Sequence, residues 1–304
     1  MKITVFCLAA AITLSAENYR ETLYPHWSQS FTVKKEIARE MTEHQDLAIF
    51  ENETFGTVLA LDGVIQLTEA DEAIYHEMVA HVPILEHGSV SSVLIVGGGD
   101  GGLLREVVKH AGIQRIVVAE IDPEVIAMSK QYLPKLSNGA FSDPRVQIVI
   151  QDACQYVKDC QEQFDLIISD STDPFGPASV LFTKEFYADC KALLKKGGIF
   201  VNQSGVPFMQ QDELKITVKN LFPNYKYATF YIAPIPSYVG GYMAFGWASD
   251  KKHRSSEATL TARAQEIKTP FYYYTPAVHK AAFALPAYVL HAINEAKSIQ
   301  ESGK

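Results

Sequence analysis

From about Ser30 to Thr68, apolar and polar residues alternate in short runs: FTVKKEIARE, DLAIFENETFG, TVLALDG and VIQLT. Such alternation puts apolar side chains on one face of a strand. Phe55-Gly56 and Asp62-Gly63 fall where tight turns would join successive strands, so a small antiparallel β unit is expected. Asp71 to His87 reads as a helix leading out of it. From Val93 the texture changes. Apolar runs VLIVG, RIVVAEID, VQIVIQD, FDLIISD and GGIFVNQ are separated by helical segments beginning near Gly101, Pro123, Ala153 and Thr183. That rhythm implies an α/β, doubly wound, mostly parallel sheet. YKYATFYIAPIPS and GYMAFGWAS, joined by a short loop, add a terminal antiparallel hairpin. The expected organisation is an N-terminal extension (1–16), a β-stranded domain (17–75) and a Rossmann-like domain (76–304).

At 304 residues, 47% of them hydrophobic and 20% charged, the chain can bury a sizeable core as an ordinary globular protein. Its formal net charge of −8 lacks the basic footprint that nucleic acid or an anionic membrane requires. Cys7, Cys154, Cys160 and Cys190 form no CxxC pair and read as reduced thiols in a cytoplasmic protein. The opening MKITVFCLAAAITLSA faintly resembles a signal peptide, but its apolar run of about ten residues is too short for a bilayer. An extension or a first packed element is the preferred reading.

Gly97, Gly99 and Gly102 in VLIVGGGDGG satisfy GxGxxG, and Glu120 lies at the end of the next strand. In dinucleotide sites that acid binds ribose hydroxyls. Nicotinamide enzymes and enzymes of adenosyl sulfonium compounds share this arrangement, and Asp100 discriminates between them. A helix N-terminus attracts anions. A carboxylate placed there would repel a pyrophosphate by several kcal/mol at an effective dielectric of roughly 20. A cationic ligand reverses the sign. The competing reading makes Asp100 a solvated helix cap.

Later strands end in Asp152 and in Asp170, with Asp173 three residues on. Ligands of open parallel sheets bind beyond the carboxyl ends of the strands. Asp100, Glu120, Asp152, Asp170 and Asp173 should therefore ring one crevice, with no lysine or arginine in these loops to compensate. The crevice calls for positive charge. Other motifs carry less. His76-Glu77 and His81 give HExxxH, one residue longer than the zinc motif, so no metal is expected. No GxSxG elbow or GxxxxGK[ST] loop occurs, and FYYY at 271–274 reads as packing.

GGGDGGLLREVVKH, LDGVIQLTEADEAIYHEM and DSTDPFGPASVLF resemble the corresponding segments of spermidine synthases, the polyamine aminopropyltransferases. The resemblance runs from about Glu17 through FYYYTPAVHKAAFALPAYV. It implies a β-stranded domain followed by a methyltransferase-like Rossmann domain, with a seven-stranded sheet. It also implies aminopropyl transfer from decarboxylated S-adenosylmethionine to putrescine, giving spermidine and methylthioadenosine. The donor is a co-substrate, no separate cofactor is needed, and a homodimer or homotetramer is expected. By resemblance, Glu120, Asp152, Ala153, Gln45, Gly97, Gly99 and Pro177 line the nucleoside site. Ala153 stands where glycine is common. Asp100 takes the amino end of the aminopropyl group. His76, Asp170 and Asp173 contact the polyamine, flanked by Tyr75 and Tyr238, with Trp27 near its far end. Asp170 is the acid-base residue. The rival readings are a putrescine N-methyltransferase using intact S-adenosylmethionine, an NAD-dependent oxidoreductase and a polyamine-binding protein without turnover. Asp100 ranks the first lower, because intact donor carries a carboxylate beside its amine. STDPFGPASVLF has the look of a semi-rigid gate.

Overall fold

The computed structural model describes residues 17–174 and 176–302, without the side chains of 177 and 300–302. The readings of residues 1–16, Cys7 included, lie outside the described residues.

β1 (Asn18–Arg20) and β2 (Ser30–Thr32) pair as a short antiparallel ribbon. A four-stranded antiparallel sheet follows, built in order from β3 (Lys35–Met41), β4 (Asp46–Asn52), β5 (Gly56–Leu61) and β6 (Val64–Thr68). The run FTVKKEIARE is divided between β2 and β3. Its middle changes partner: Val33 N bonds Glu17 O, and Lys34 N bonds Glu51 O. Asp62 and Gly63 both have positive φ (49° and 81°), which a tight turn between right-twisted strands favours. Alternation then sorts the side chains. Leu47, Ile49, Leu59, Leu61 and Leu67 pack on Val125, Met128, Leu133 and Leu136 of the following domain. Phe50, Val58, Ala60 and Ile65 pack the other way with Phe31.

α1 (Glu72–His87) is buried from Ile74 to Glu86 and ends on left-handed Gly88. The second sheet is assembled from β7 (Ser92–Gly97), α2 (Gly102–Val108), β8 (Arg115–Glu120), α3 (Pro123–Tyr132), α4 (Pro134–Ser137), β9 (Val146–Ile150), α5 (Ala153–Asp159) and β10 (Phe164–Asp170). A 3-10 helix (Gly176–Phe182) leads to α6 (Lys184–Ala192), β11 (Leu194–Gln203), α7 (Gln211–Asn220) and the hairpin β12 (Tyr227–Pro234)–β13 (Tyr242–Ser249). Strand order is β12-β13-β11-β10-β7-β8-β9, and β13 runs antiparallel to β11 and β12. This is the seven-stranded, mostly parallel sheet with a terminal hairpin that the sequence predicts. Central strands are apolar throughout because helices cover both faces. Val93, Leu94, Ile95 and Val96 are wholly buried.

From β7 the chain steps outward to β8 and β9, then returns across β7 to place β10 on its other side. That reversal is a topological switch point, where the carboxyl ends of adjacent strands diverge and leave a crevice. Gly97 and Asp170 are register partners across it.

The C-terminal helices α8 (Glu257–Ala264), α9 (Pro276–Ala282) and α10 (Ala287–Ser302) are a feature the sequence reading did not supply. α10 packs Val289, Ala292, Ile293 and Ala296 against Leu214 and Val218 of α7. Among the described residues no helix is long and apolar enough to cross a membrane. The FYYY segment is pinned by Glu77, whose buried carboxylate accepts from the backbone amides of Tyr272, Tyr273 and Tyr274 at 2.6, 2.8 and 2.7 Å. Glu77→Ala removes three charge-assisted bonds and leaves the amides unpaired. A loss of about 2–4 kcal/mol is expected, measured as a lowered urea midpoint at unchanged slope. A change below about 0.5 kcal/mol would contradict that anchoring role.

Candidate active site

A cavity of about 520 Å³ opens at the switch point, walled by the strand ends of the large sheet and by β5, β6 and their flanking loops from the N-terminal unit. At its floor the glycine turn has a steric logic of its own. Gly97 (φ 79°) lies against the Asp170 carbonyl, so a Cβ there would collide with backbone. At Gly99 a Cβ would stand 2.8 Å from Glu120 Oε2, and at Gly102 it would enter the His76 ring. Each glycine of the motif clears space for a strand, an acid or an imidazole.

Glu120 Oε2 accepts from Gly99 N at 3.1 Å and Oε1 from Asp122 N at 2.9 Å. Burial pushes its carboxyl up to about 7 against those two bonds. Gln45 reaches the same corner and donates to Asp122 Oδ2 at 2.9 Å. Asp152 caps α5 by accepting from Cys154 N at 2.7 Å. Ala153 opens that helix without a positive φ, so the missing glycine imposes no strain here. Gln45, Gly97, Gly99, Glu120, Asp152 and Ala153 all line the cavity. The Pro177 side chain lies outside the described residues.

The other half is acidic around one imidazole. Asp100 Oδ1 accepts from Gly102 N at 2.7 Å just ahead of α2, whose N-cap is Gly101, and it also borders the cavity and lies 3.5 Å from His76 Nε2. The solvated-cap reading does not hold: Gly101 is the N-cap, and the Asp100 carboxylate is turned toward the cavity and His76. Tyr75 donates to Asp170 Oδ1 at 2.7 Å, whereas Asp170 Oδ2 is buried with no hydrogen-bond partner among the described residues. Burial, then the Asp100 charge, raise the Asp170 carboxyl, while His76 and Tyr75 pull it back. Ligand atoms of His76, Asp100 and Asp170 lie within 4.8 Å of one another. Tyr238 donates to Gln66 O at 2.5 Å and sets its ring 6.3 Å from that of Tyr75.

Farther along, Asp173 Oδ2 accepts from Gln210 Nε2 at 2.8 Å; burial raises its carboxyl against the bonds from Gln210 and Gln203. The same Gln210 nitrogen donates to Glu213 at 2.7 Å. Glu21 and Tyr24 complete this wall. Trp27 is half-exposed and does not line the cavity. In HExxxH the two histidines part company: His81 bonds Glu106 and His110, both at 2.9 Å. The proline-rich segment is the 3-10 helix, and Ala178, Val180 and Leu181 from it face the cavity.

Sequence reasoning missed Glu72, which binds His76, along with Glu21, Tyr24, Gln203, Gln210 and Glu213. Glu72 alone had a readable signal, since residues four apart on a helix share a face.

Fold and site together define a class: a doubly wound α/β protein whose strand-end crevice is built from carboxylates, suited to a cationic ligand and not to a pyrophosphate. Residues 72–258 match the family model of the spermine/spermidine synthase domain, and residues 18–69 match that of the spermidine synthase tetramerisation domain. The chain belongs to the spermine/spermidine synthase family. It is 49% identical to the polyamine aminopropyltransferase of Sodalis glossinidius, over 92% of this chain and 99% of that one. It is 50% identical to that of Pseudomonas syringae pv. tomato, at the same coverage. A solved spermidine synthase in complex with the transition state analogue AdoDATO superposes with a TM-score of 0.88 at 35% identity, covering 92% of this chain and 96% of that chain. Spermidine synthase from Thermotoga maritima gives 0.84 at 33% identity, covering 92% and 95%.

The raised carboxyl of Glu120 makes stability pH-dependent. Between its ordinary value of 4.5 and about 7 the folded protein holds a proton that the unfolded chain has released. Stability from this group therefore falls as pH rises through that window and is level above it. Glu120→Gln lacks this pH dependence, so its stability relative to wild type should rise by about 1–3 kcal/mol from pH 5 to pH 8, measured by urea unfolding. Equal differences at both pH values would contradict the buried, protonated carboxyl.

Proposed function

We propose that this protein transfers the aminopropyl group of decarboxylated S-adenosylmethionine to putrescine, releasing spermidine and methylthioadenosine. The observation that carries this reading is Asp170: a buried carboxylate with one oxygen held by Tyr75 and the other unpartnered, at the strand end opposite the glycine turn. The family, and relatives named as polyamine aminopropyltransferases, support it.

In this reading Glu120 takes the ribose hydroxyls, and Asp152 with Ala153 meets the adenine edge beside Gln45, Gly97, Gly99 and Pro177. Asp100 receives the aminopropyl ammonium, and His76, which the resemblance gives to the polyamine, lies 3.5 Å from Asp100 and is read as meeting the same ammonium. Asp170, Tyr75 and Tyr238 surround the attacking amine, while Asp173 anchors the acceptor's far end. The donor carbon is already activated by its sulfonium. The amine nitrogen forms a bond to that carbon as the C–S bond breaks, and sulfur leaves as a neutral thioether. A primary amine is protonated at neutral pH. Asp170 accepts its proton as the lone pair attacks. Alignment of the two substrates supplies much of the rate, on the order of 7–11 kcal/mol where geometry is held. The donor serves as co-substrate without a separate cofactor. The β-stranded domain is read as 17–75 and the catalytic one as 76–304, with α1 crossing from one to the other. The tetramerisation-domain match supports a homodimer or homotetramer, and the free Cys154, Cys160 and Cys190 support a cytoplasmic setting.

Product analysis by mass spectrometry tests this, with putrescine and either decarboxylated or intact S-adenosylmethionine. Spermidine and methylthioadenosine from the decarboxylated donor alone are expected, with turnover reduced about 10²–10⁴-fold in Asp170→Asn. N-methylputrescine from the intact donor would overturn the reading.

A further inference from the structure

The acidic half of the cavity contains its own cation. His76 is 3% exposed, and its Nδ1 lies 2.6 Å from Glu72 Oε2 while Nε2 faces Asp100. Glu72 is itself clamped by Arg105, whose Nη1 and Nη2 donate to its two oxygens at 2.8 and 2.9 Å. Arg105 is fixed in turn by Glu106 Oε1 at 2.7 Å and Leu136 O at 2.8 Å. The ring packs directly on Gly102, where a Cβ would stand 2.3 Å from its Cε1. The ionisable groups facing it are Glu72 and Tyr75 from α1, Asp100 from the glycine turn, Asp170 from β10, and Arg105 of α2 acting through Glu72. Burial opposes a charge on the imidazole, but Asp100, Glu72 and Asp170 outweigh it and raise His76 to about 9.

Arg105 already occupies both Glu72 oxygens, so a ligand ammonium entering here competes with the imidazolium for Asp100. We propose that Glu72, clamped by Arg105, is a positioning residue that holds His76 by Nδ1–H so that Nε2 carries a proton in the free enzyme and gives it up when the donor's ammonium enters. The proposal rests on the aminopropyltransferase reading above. The exchange balances. The Nε2–H bond breaks and its proton passes to solvent, while Nδ1–H stays on Glu72. The ammonium keeps its three protons, donating one to the freed Nε2 lone pair and the rest toward the carboxylates. One positive charge replaces another, so the cage keeps its net charge.

Calorimetric titration of the full-length enzyme at pH 8, in phosphate and in HEPES, counts the protons released. At that pH Glu120, near about 7, is already ionised, whereas His76, near about 9, is still protonated. Decarboxylated S-adenosylmethionine should release roughly one proton per molecule bound, and methylthioadenosine, which has no ammonium, roughly a tenth of that. His76→Gln should bind the donor with release reduced to the methylthioadenosine level. Glu72→Gln, whose amide oxygen can still accept from Nδ1–H, should release at least about twofold less at pH 8, with the release moved to lower pH. Equal release by the two ligands in wild type, unchanged release in His76→Gln, or an unmoved pH profile in Glu72→Gln would overturn the proposal. A wild-type enzyme that binds methylthioadenosine but not the donor would overturn both it and the reading on which it rests.

Discussion

Asp100, Glu120, Asp152 and Asp170 meet around one crevice because parallel strands finish on the same edge of their sheet, and each of these strands ends in or beside an acid. Two carboxylates about 4 Å apart repel by about 4 kcal/mol at an effective dielectric near 20. The protein contains this in separate ways. Glu120 is pushed toward its neutral form by burial while two backbone amides satisfy its oxygens. Asp170 takes the Tyr75 hydroxyl on one oxygen. His76 stands between Asp100 and Glu72 as a counter-ion. What remains is a carboxylate-lined cavity in which one Asp170 oxygen has no hydrogen-bond partner among the described residues.

The N-terminal unit is part of this arrangement. Its sheet is seated by apolar packing on α3 and α4, which fixes the neighbouring loops relative to the strand ends. Thr42 and Gln45 then converge on Asp122, the cap of α3 and neighbour of Glu120, at 2.8 and 2.9 Å. Glu21 accepts from Ile65 N at 3.0 Å and from Gln29 Nε2 at 3.0 Å, tying the first ribbon to β6. Gln29 also donates to Ser237 O at 2.7 Å, beside Tyr238. A cavity wall from one domain and a floor from the other are thus held in register by a handful of buried polar contacts.

Much of the sheet was legible in sequence because its central strands are apolar runs bounded by caps such as Asp122-Pro123, Asp152 and Thr183. The acids at their ends were legible for the same reason: strand polarity alone places them together. The C-terminal helices were not, since α8 and α9 are short and owe their stability to packing on the body. Glu21 and Tyr24 come from a loop, Gln203 from β11 and Gln210 from the cap of α7, with Glu213 of α7 behind it, and only tertiary folding brings them together. Asp100 shows the limit from the other side. Its carboxylate holds the Gly102 amide and walls the cavity at once, which follows from geometry and not from its place in a motif.

On this geometry the crevice is tuned to positive charge beside a nucleoside. Comparing equilibrium affinities for decarboxylated and intact S-adenosylmethionine tests it most directly, since the two differ by a single carboxylate. Repulsion from Asp100 predicts that the decarboxylated compound binds at least about tenfold tighter, a difference of about 1.4 kcal/mol, and that Asp100→Asn narrows the gap. Equal affinities in the wild-type protein would contradict the account.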